Sequence, residues 1–173
     1  MTDDLRALIR DVPDFPQPGV LFRDVTPLLK DAAAFNAALD AMQAYIAARQ
    51  PSAIVGIESR GFLFGSPLAV RLGLPFVPIR KPGKLPAAHM SIEYALEYGE
   101  GQLDIHSDAL SSGDAVVIVD DLLATGGTAV GAAKLVELLG ARVVGVAFLI
   151  ELKALGGRGR LQEYDVFALI DYP

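Results

Sequence analysis

The segment Val116-Val117-Ile118-Val119-Asp120-Asp121-Leu122-Leu123-Ala124-Thr125-Gly126-Gly127-Thr128 carries the densest chemistry in the chain. An apolar strand runs into two carboxylates, a Thr-Gly-Gly-Thr turn follows, and a helix begins at once. The glycines let successive backbone N–H groups point inward, the helix start leaves further donors unpaired, and two threonines add hydroxyls. Ala124, Thr125, Gly126, Gly127 and Thr128 therefore suit a phosphomonoester. A nucleoside triphosphate loop of the form G-x-x-x-x-G-K-[ST] would need a lysine after the glycines, and none stands there. Carboxylates beside a phosphate repel it unless they face hydroxyls or a cation, so Asp120 and Asp121 point to a sugar diol, Mg²⁺, or both. The implied ligand is a sugar phosphate.

Cations for a second anion lie elsewhere in the chain. Arg80-Lys81-Pro82-Gly83-Lys84 gathers three of the 15 Lys+Arg residues into one short run on a protein of net charge −6. That local positive site fits a small anion, whereas a broad nucleic-acid surface would need many more Lys/Arg contacts to phosphate. Glu58-Ser59-Arg60-Gly61 follows an apolar run and precedes a helical pattern, a second turn with free N–H groups. His89 and His106 are not at metal-ligand spacing, so neither receives a metal or a triad role, and both are expected at the surface. Gly156-Gly157-Arg158-Gly159-Arg160 looks like an anion loop but does not sit between a clear strand and helix. It reads as a turn without bearing on the site.

These residues need a scaffold, and the composition supports one. The chain has 173 residues, 52% of them hydrophobic, which suits a single domain over 1–173 with a full sheet-and-helix core. No cysteine is present, which removes thiol chemistry, Cys-ligated metals and disulfides and matches a reducing cytosol. The acidic start, Met1-Thr2-Asp3-Asp4-Leu5-Arg6, lacks the basic and then apolar pattern of a signal peptide. The longest apolar run, 143–150, is shorter than the roughly 18–20 residues a membrane helix needs. A soluble, cytoplasmic protein is expected.

Residues 53–57, 75–79, 115–119 and 143–150 are short continuous apolar runs, the mark of strands buried on both faces. Between them, 61–72 and 128–140 have helical patterning, the latter with Gly131, Lys134 and Glu137 as a narrow wet stripe. An earlier helix begins at Asp31, a suitable N-cap, carries Phe35, Leu39, Met42 and Ile46 on one face, and stops at Pro51. Alternating strands and helices predict an α/β fold: a mainly parallel sheet flanked by helices, with ligands at the carboxyl ends of the strands. Residues 11–19, rich in proline, read as irregular, and 91–98 with 102–105 as an exposed hairpin or flap.

The string Val-Asp-Asp-Leu-Leu-Ala-Thr-Gly-Gly-Thr at 119–128 resembles the phosphoribosyl-pyrophosphate loop of the type I phosphoribosyltransferases. Phe15-Pro16-Gln17-Pro18-Gly19-Val20-Leu21-Phe22-Arg23-Asp24, Gly56-Ile57-Glu58-Ser59-Arg60-Gly61-Phe62, Arg80-Lys81-Pro82-Gly83-Lys84-Leu85-Pro86, Leu96-Glu97-Tyr98-Gly99 and Tyr164-Asp165-Val166-Phe167 are similar to the adenine-using members of that family, in the same order. The resemblance runs over about residues 12–171. It implies the family's fold with a short N-terminal base-binding hood and a flap, and a cytosolic homodimer. The implied reaction joins adenine to 5-phosphoribosyl pyrophosphate, with Mg²⁺ carried on the pyrophosphate, and releases AMP and pyrophosphate.

Roles follow from the same resemblance. Residues 124–128 hold the 5-phosphate, and Asp120 and Asp121 the ribose hydroxyls near the developing cation. Ser59, Arg60, Arg80, Lys81 and Lys84 serve the pyrophosphate, one of the cations acting from a neighbouring subunit. A strained peptide is implied in the 58–61 turn, a cis bond included. Leu21, Phe22 and Arg23 form the adenine wall, and Glu97 meets purine N7 on the flap, with Tyr98 helping to close it. No protein side chain is assigned as a metal ligand. Two rivals stay open: a same-fold transferase for another purine base, and a non-catalytic sensor of phosphoribosyl pyrophosphate.

Overall fold

The computed structural model describes residues 2–95 and 100–173. A short helix α1 (Thr2–Arg6) leads into an antiparallel pair, β1 (Arg10–Pro13) and β2 (Leu21–Asp24). The prolines of this stretch therefore interrupt less than expected: Pro13 closes a two-stranded ribbon, an edge setting in which its missing N–H costs no ladder bond. After α2 (Thr26–Lys30) comes α3 (Ala32–Ala47), which starts where the sequence places it. The Asp31 carboxylate accepts the N–H groups of Ala33 and Ala34, each at 3.0 Å, a cap of the kind whose loss costs about 1 kcal/mol. Leu39, Met42 and Ile46 bury one face of this helix.

The central layer follows. β3 (Ala53–Ile57) leads to α4 (Gly61–Leu72), which ends because Gly73 takes the left-handed conformation at φ 65°. Then come β4 (Phe76–Ile79), an antiparallel hairpin of β5 (His89–Ala95) and β6 (Glu100–His106), β7 (Ala115–Leu123), α5 (Gly127–Leu138), β8 (Arg142–Leu152) and β9 (Val166–Tyr172). Five strands form one sheet in the order β4-β3-β7-β8-β9, and every neighbouring pair is parallel. Successive residues of β3 and β7 serve opposite cores. Ile54, Val117 and Val119 pack with α3 and α4, while Val55, Ile57, Val116 and Ile118 pack with α5 and the β5–β6 hairpin. A layer buried on both faces explains why these strands read as unbroken apolar runs.

Some boundaries differ from expectation. β7 runs on through both aspartates to Leu123, because β8 continues to pair with it as far as Glu151. β9 is not among the strands expected above: its apolar run, residues 166–170, is short, and its parallel pairing with β8 makes it a strand. Gly131 is buried under the ring of Tyr94 instead of lying on a wet stripe. His89 is exposed as expected, but His106 is half-buried, with its Nε2 shielded from solvent.

Candidate active site

The carboxyl ends of β3 and β7 and the start of α5 enclose a cavity of about 400 Å³, within the range of small-ligand sites. Its wall brings together Ser59, Arg60, Lys81, Asp120, Asp121, Ala124, Thr125, Gly126, Gly127 and Thr128, residues from distant parts of the chain for which the resemblance implies one substrate. The loop at 124–128 acquires its shape from Gly126, which caps α5 at φ 83°. In that left-handed conformation the chain turns directly into the helix, so the first N–H groups of α5, which have no helical acceptor, face the same space.

Asp121 is buried and paired with Arg60, whose Nε lies 2.9 Å from Oδ2. Asp120 is half-buried and accepts the Asp121 N–H at 2.9 Å. Burial pushes the Asp120 carboxyl well above its ordinary value, and the neighbouring Asp121 charge pushes it further. Burial likewise raises Asp121, with Arg60 pulling part of the way back. Two carboxylates held in a poorly hydrated recess gain from anything that brings positive charge or hydroxyl donors to them.

Arg60 also reaches the N-terminal ribbon. Its guanidinium carbon lies 4.8 Å from the centre of the Phe22 ring, and Phe22 meets Phe15 edge-to-face at 5.1 Å. Phe22 is thus the member of the expected adenine wall that comes next to the cavity residues. Leu21 and Arg23 point the other way along the strand, as alternation requires. Leu21 is 45% exposed, and Arg23 pairs with Asp11 while stacking 3.9 Å over the Tyr172 ring.

The basic run divides in the same manner. Lys81 lines the cavity, whereas Arg80 and Lys84 are not on its wall. Arg80 donates from Nε to Glu58 at 3.2 Å and from a terminal nitrogen to the Lys84 carbonyl at 3.1 Å. Glu58, which the sequence places in the 58–61 turn without a role of its own, also accepts the Lys81 N–H at 3.0 Å. Burial works to raise its carboxyl, but the bonds from Lys81 and Arg80 outweigh it and hold Glu58 below the ordinary range. The Glu58–Ser59 peptide is cis.

Tyr94 was also missed. It stands on the cavity wall, its hydroxyl 3.5 Å from the Thr128 hydroxyl, with its ring against Gly101 and Gly131. Two glycines facing one ring are invisible until the hairpin is folded onto α5. Glu97 and Tyr98 lie outside the described residues. Among the described residues no group of three or more His, Asp or Glu side chains could hold a metal ion. The carboxylate pair Asp120 and Asp121 on the cavity wall is an oxygen donor set of the kind a hard cation such as Mg²⁺ takes.

Fold and site together define an α/β protein that binds a sugar phosphate. Residues 25–171 match the phosphoribosyl transferase domain. An adenine phosphoribosyltransferase of a Synechococcus strain is 56% identical over 169 residues, 98% of this chain and 99% of that protein. The crystal structure of adenine phosphoribosyltransferase from Thermoanaerobacter pseudethanolicus superposes with a TM-score of 0.97 at 52% identity, covering 99% of this chain and 100% of that one. The Saccharomyces cerevisiae enzyme, crystallised with adenine and an imino-altritol bisphosphate, gives 0.93 at 40% identity, covering 98% of each chain. The chain belongs to the phosphoribosyltransferase family, among its adenine phosphoribosyltransferases.

Proposed function

We propose that the protein transfers the 5-phosphoribosyl group of phosphoribosyl pyrophosphate to adenine, giving AMP and pyrophosphate. The observation that carries this reading is one cavity in which a monoester cradle, residues 124–128, adjoins the acid pair Asp120 and Asp121. In the reaction N9 of adenine bonds to the anomeric carbon and loses its proton, while the C–O bond to pyrophosphate breaks and the leaving group takes the electron pair. Positive charge grows on the ribose. Asp120 and Asp121 receive the ribose hydroxyls and stabilise that charge, which repays the cost of burying them. The cradle fixes the 5-phosphate and so the sugar's position.

Ser59, Arg60 and Lys81 meet the pyrophosphate, Arg80 with Glu58 shapes the loop that presents Lys81, and Lys84 serves the same anion from the loop's exposed end. Beside Asp120, Asp121, Arg60 and Lys81, a Mg²⁺ bound with the pyrophosphate would supply neutralisation of the charge that gathers on the leaving group. The base is received beside Phe22, with backbone groups of Leu21, Phe22 and Arg23 reading the purine edge, and Glu97 on the flap meets N7. The whole chain acts as one domain and works in the cytoplasm, in keeping with its lack of cysteine. Among the described residues no helix is long and apolar enough to cross a membrane. A homodimer is supported by α4, whose Leu63 and Val70, two turns apart on one face, are 44% and 80% exposed.

A base panel tests the reading. Adenine, hypoxanthine, guanine and xanthine are each supplied with phosphoribosyl pyrophosphate and Mg²⁺, and pyrophosphate release is followed. Turnover with adenine far above the others is expected. Comparable turnover of guanine would replace adenine as the substrate, and tight ligand binding without product from any base would make the protein a sensor.

A further inference from the structure

The glycine run after β8 touches the cradle. Two short 3-10 turns, Lys153–Leu155 and Gly157–Leu161, follow that strand, and Gly157 is buried against the loop at 124–128. A Cβ placed on Gly157 would lie 2.2 Å from the Ala124 carbonyl oxygen and 2.9 Å from the Gly126 nitrogen. From the other side, a Cβ on Gly126 would lie 2.7 Å from the Gly157 carbonyl oxygen. Two glycine backbones are therefore packed face to face, and neither position has room for a side chain. Gly159, two residues on, has nothing within 4 Å of its Cβ position, so the close approach belongs to Gly157.

The next residue locks the turn in place. Arg158 donates from Nε to both oxygens of Glu151 at 3.0 and 3.1 Å, from one terminal nitrogen to Glu151 Oε2 at 2.5 Å, and from the other to the Val166 carbonyl at 2.7 Å. Glu151 is 5% exposed and sits opposite Leu123, the last residue of β7 before the cradle. The Arg158 side chain itself is 48% exposed, but a fork closed on a buried carboxylate holds direction as well as distance. The turn is thus tied to β8 and β9 by Arg158 and presses on the cradle through Gly157.

We infer that Gly157 is a positioning residue for the phosphate cradle, held there by the Arg158–Glu151 pair. The Ala124 carbonyl abuts Gly157. In a trans peptide the following N–H points the opposite way. The contact therefore turns the Thr125 N–H away from the 157 turn and towards the cavity, where an anion uses it. A methyl group at 157 would push this carbonyl and rotate that donor. The inference rests on the proposed binding of a ribose 5-phosphate group in the cradle.

Ribose 5-phosphate affinity, measured by calorimetry on the full chain, tests it, and wild-type turnover of adenine in parallel tests the proposed function separately. Gly157→Ala is expected to weaken ribose 5-phosphate binding and raise KM for phosphoribosyl pyrophosphate about ten- to a hundredfold, as misplaced groups do, while KM for adenine stays within about twofold. Gly159→Ala should match wild type in all three. Equal ribose 5-phosphate affinity in Gly157→Ala and wild type would overturn the inference. So would a parallel loss for both substrates with a large fall in melting temperature, the signature of a merely structural glycine. If Gly157→Ala does not fold, Arg158→Lys decides: the lysine keeps the charge but cannot form the fork. A selective loss of ribose 5-phosphate affinity of about threefold or more supports the assignment, and unchanged affinity removes it.

Discussion

Asp120 and Asp121 occupy a position in which they destabilise the protein that carries them. Burial and mutual repulsion raise Asp120 above its ordinary value, so the folded state holds that proton more tightly than the unfolded chain does. The sign is the reverse of the common carboxylate case: stability is lost as pH rises through the raised value, because the folded protein must then accept a charge it poorly solvates. Asp120→Asn, whose amide oxygen still accepts the Asp121 N–H, should melt above wild type at pH about 7 in ligand-free, chelator-treated protein, by about 2–4 °C for each kcal/mol relieved. The gap should close towards pH about 4, where the wild-type carboxyl is protonated. Catalytic efficiency should fall about 10- to 1,000-fold. A variant that is no more stable than wild type at neutral pH would show that Arg60 already neutralises the pair.

At the level of elements, the site exists because α4 and the β5–β6 hairpin come unusually close to the strand ends. A Cβ on Gly61, the first residue of α4, would lie 2.8 Å from both the Asp120 Oδ1 and the Val119 carbonyl oxygen. The carbonyl is fixed backbone of β7, whereas Oδ1 is the end of the Asp120 side chain and is the atom that can be pushed aside. Gly61→Ala should therefore cost about 1–3 kcal/mol, as overpacking does, and also lower catalytic efficiency by displacing the Asp120 carboxylate. Thermal melting and steady-state kinetics read the two effects; wild-type values in both would mean that the helix can shift without moving Asp120. The hairpin is anchored in turn by the buried Asp104. Its carboxylate accepts from Gln102 at 2.9 Å, and its backbone exchanges bonds with Arg80 at 2.8 and 2.9 Å. That joins the flap's base to the loop presenting Lys81.

Across the whole molecule, the C-terminal segment is stitched to both helical layers by tyrosines. The Tyr45 hydroxyl on α3 donates to the Asp165 carbonyl at 2.7 Å, and the Tyr164 hydroxyl donates to Glu137 on α5 at 2.9 Å. Burial is the leading cause that pushes both phenols up to about 12, and for Tyr164 the Glu137 bond adds to it. Unfolded tyrosines ionise near pH 10, so this stabilisation is complete below about pH 10 and is lost as pH rises through about 12. Melting curves between pH about 9 and about 12 should fall more gently for the double variant Tyr45→Phe, Tyr164→Phe than for wild type. Parallel curves would mean that the phenols ionise without leaving their partners.

The parallel α/β layer was legible from the residues alone, because strands covered on both faces must be continuously apolar and their ends are punctuated by glycine, proline and acids; β3 and α4 have the bounds that this pattern predicts. The cradle was legible for a related reason: its donors are consecutive backbone groups, so order in the chain is order in space. What local sequence could not carry is contact between segments. Arg60 meeting Asp121, Glu58 holding Arg80 and Lys81, Tyr94 settling over Gly131, and Gly157 pressing on Ala124 each join residues from distant segments of the chain. Strand register and the packing of turns decide such meetings, and those are properties of the folded chain as a whole.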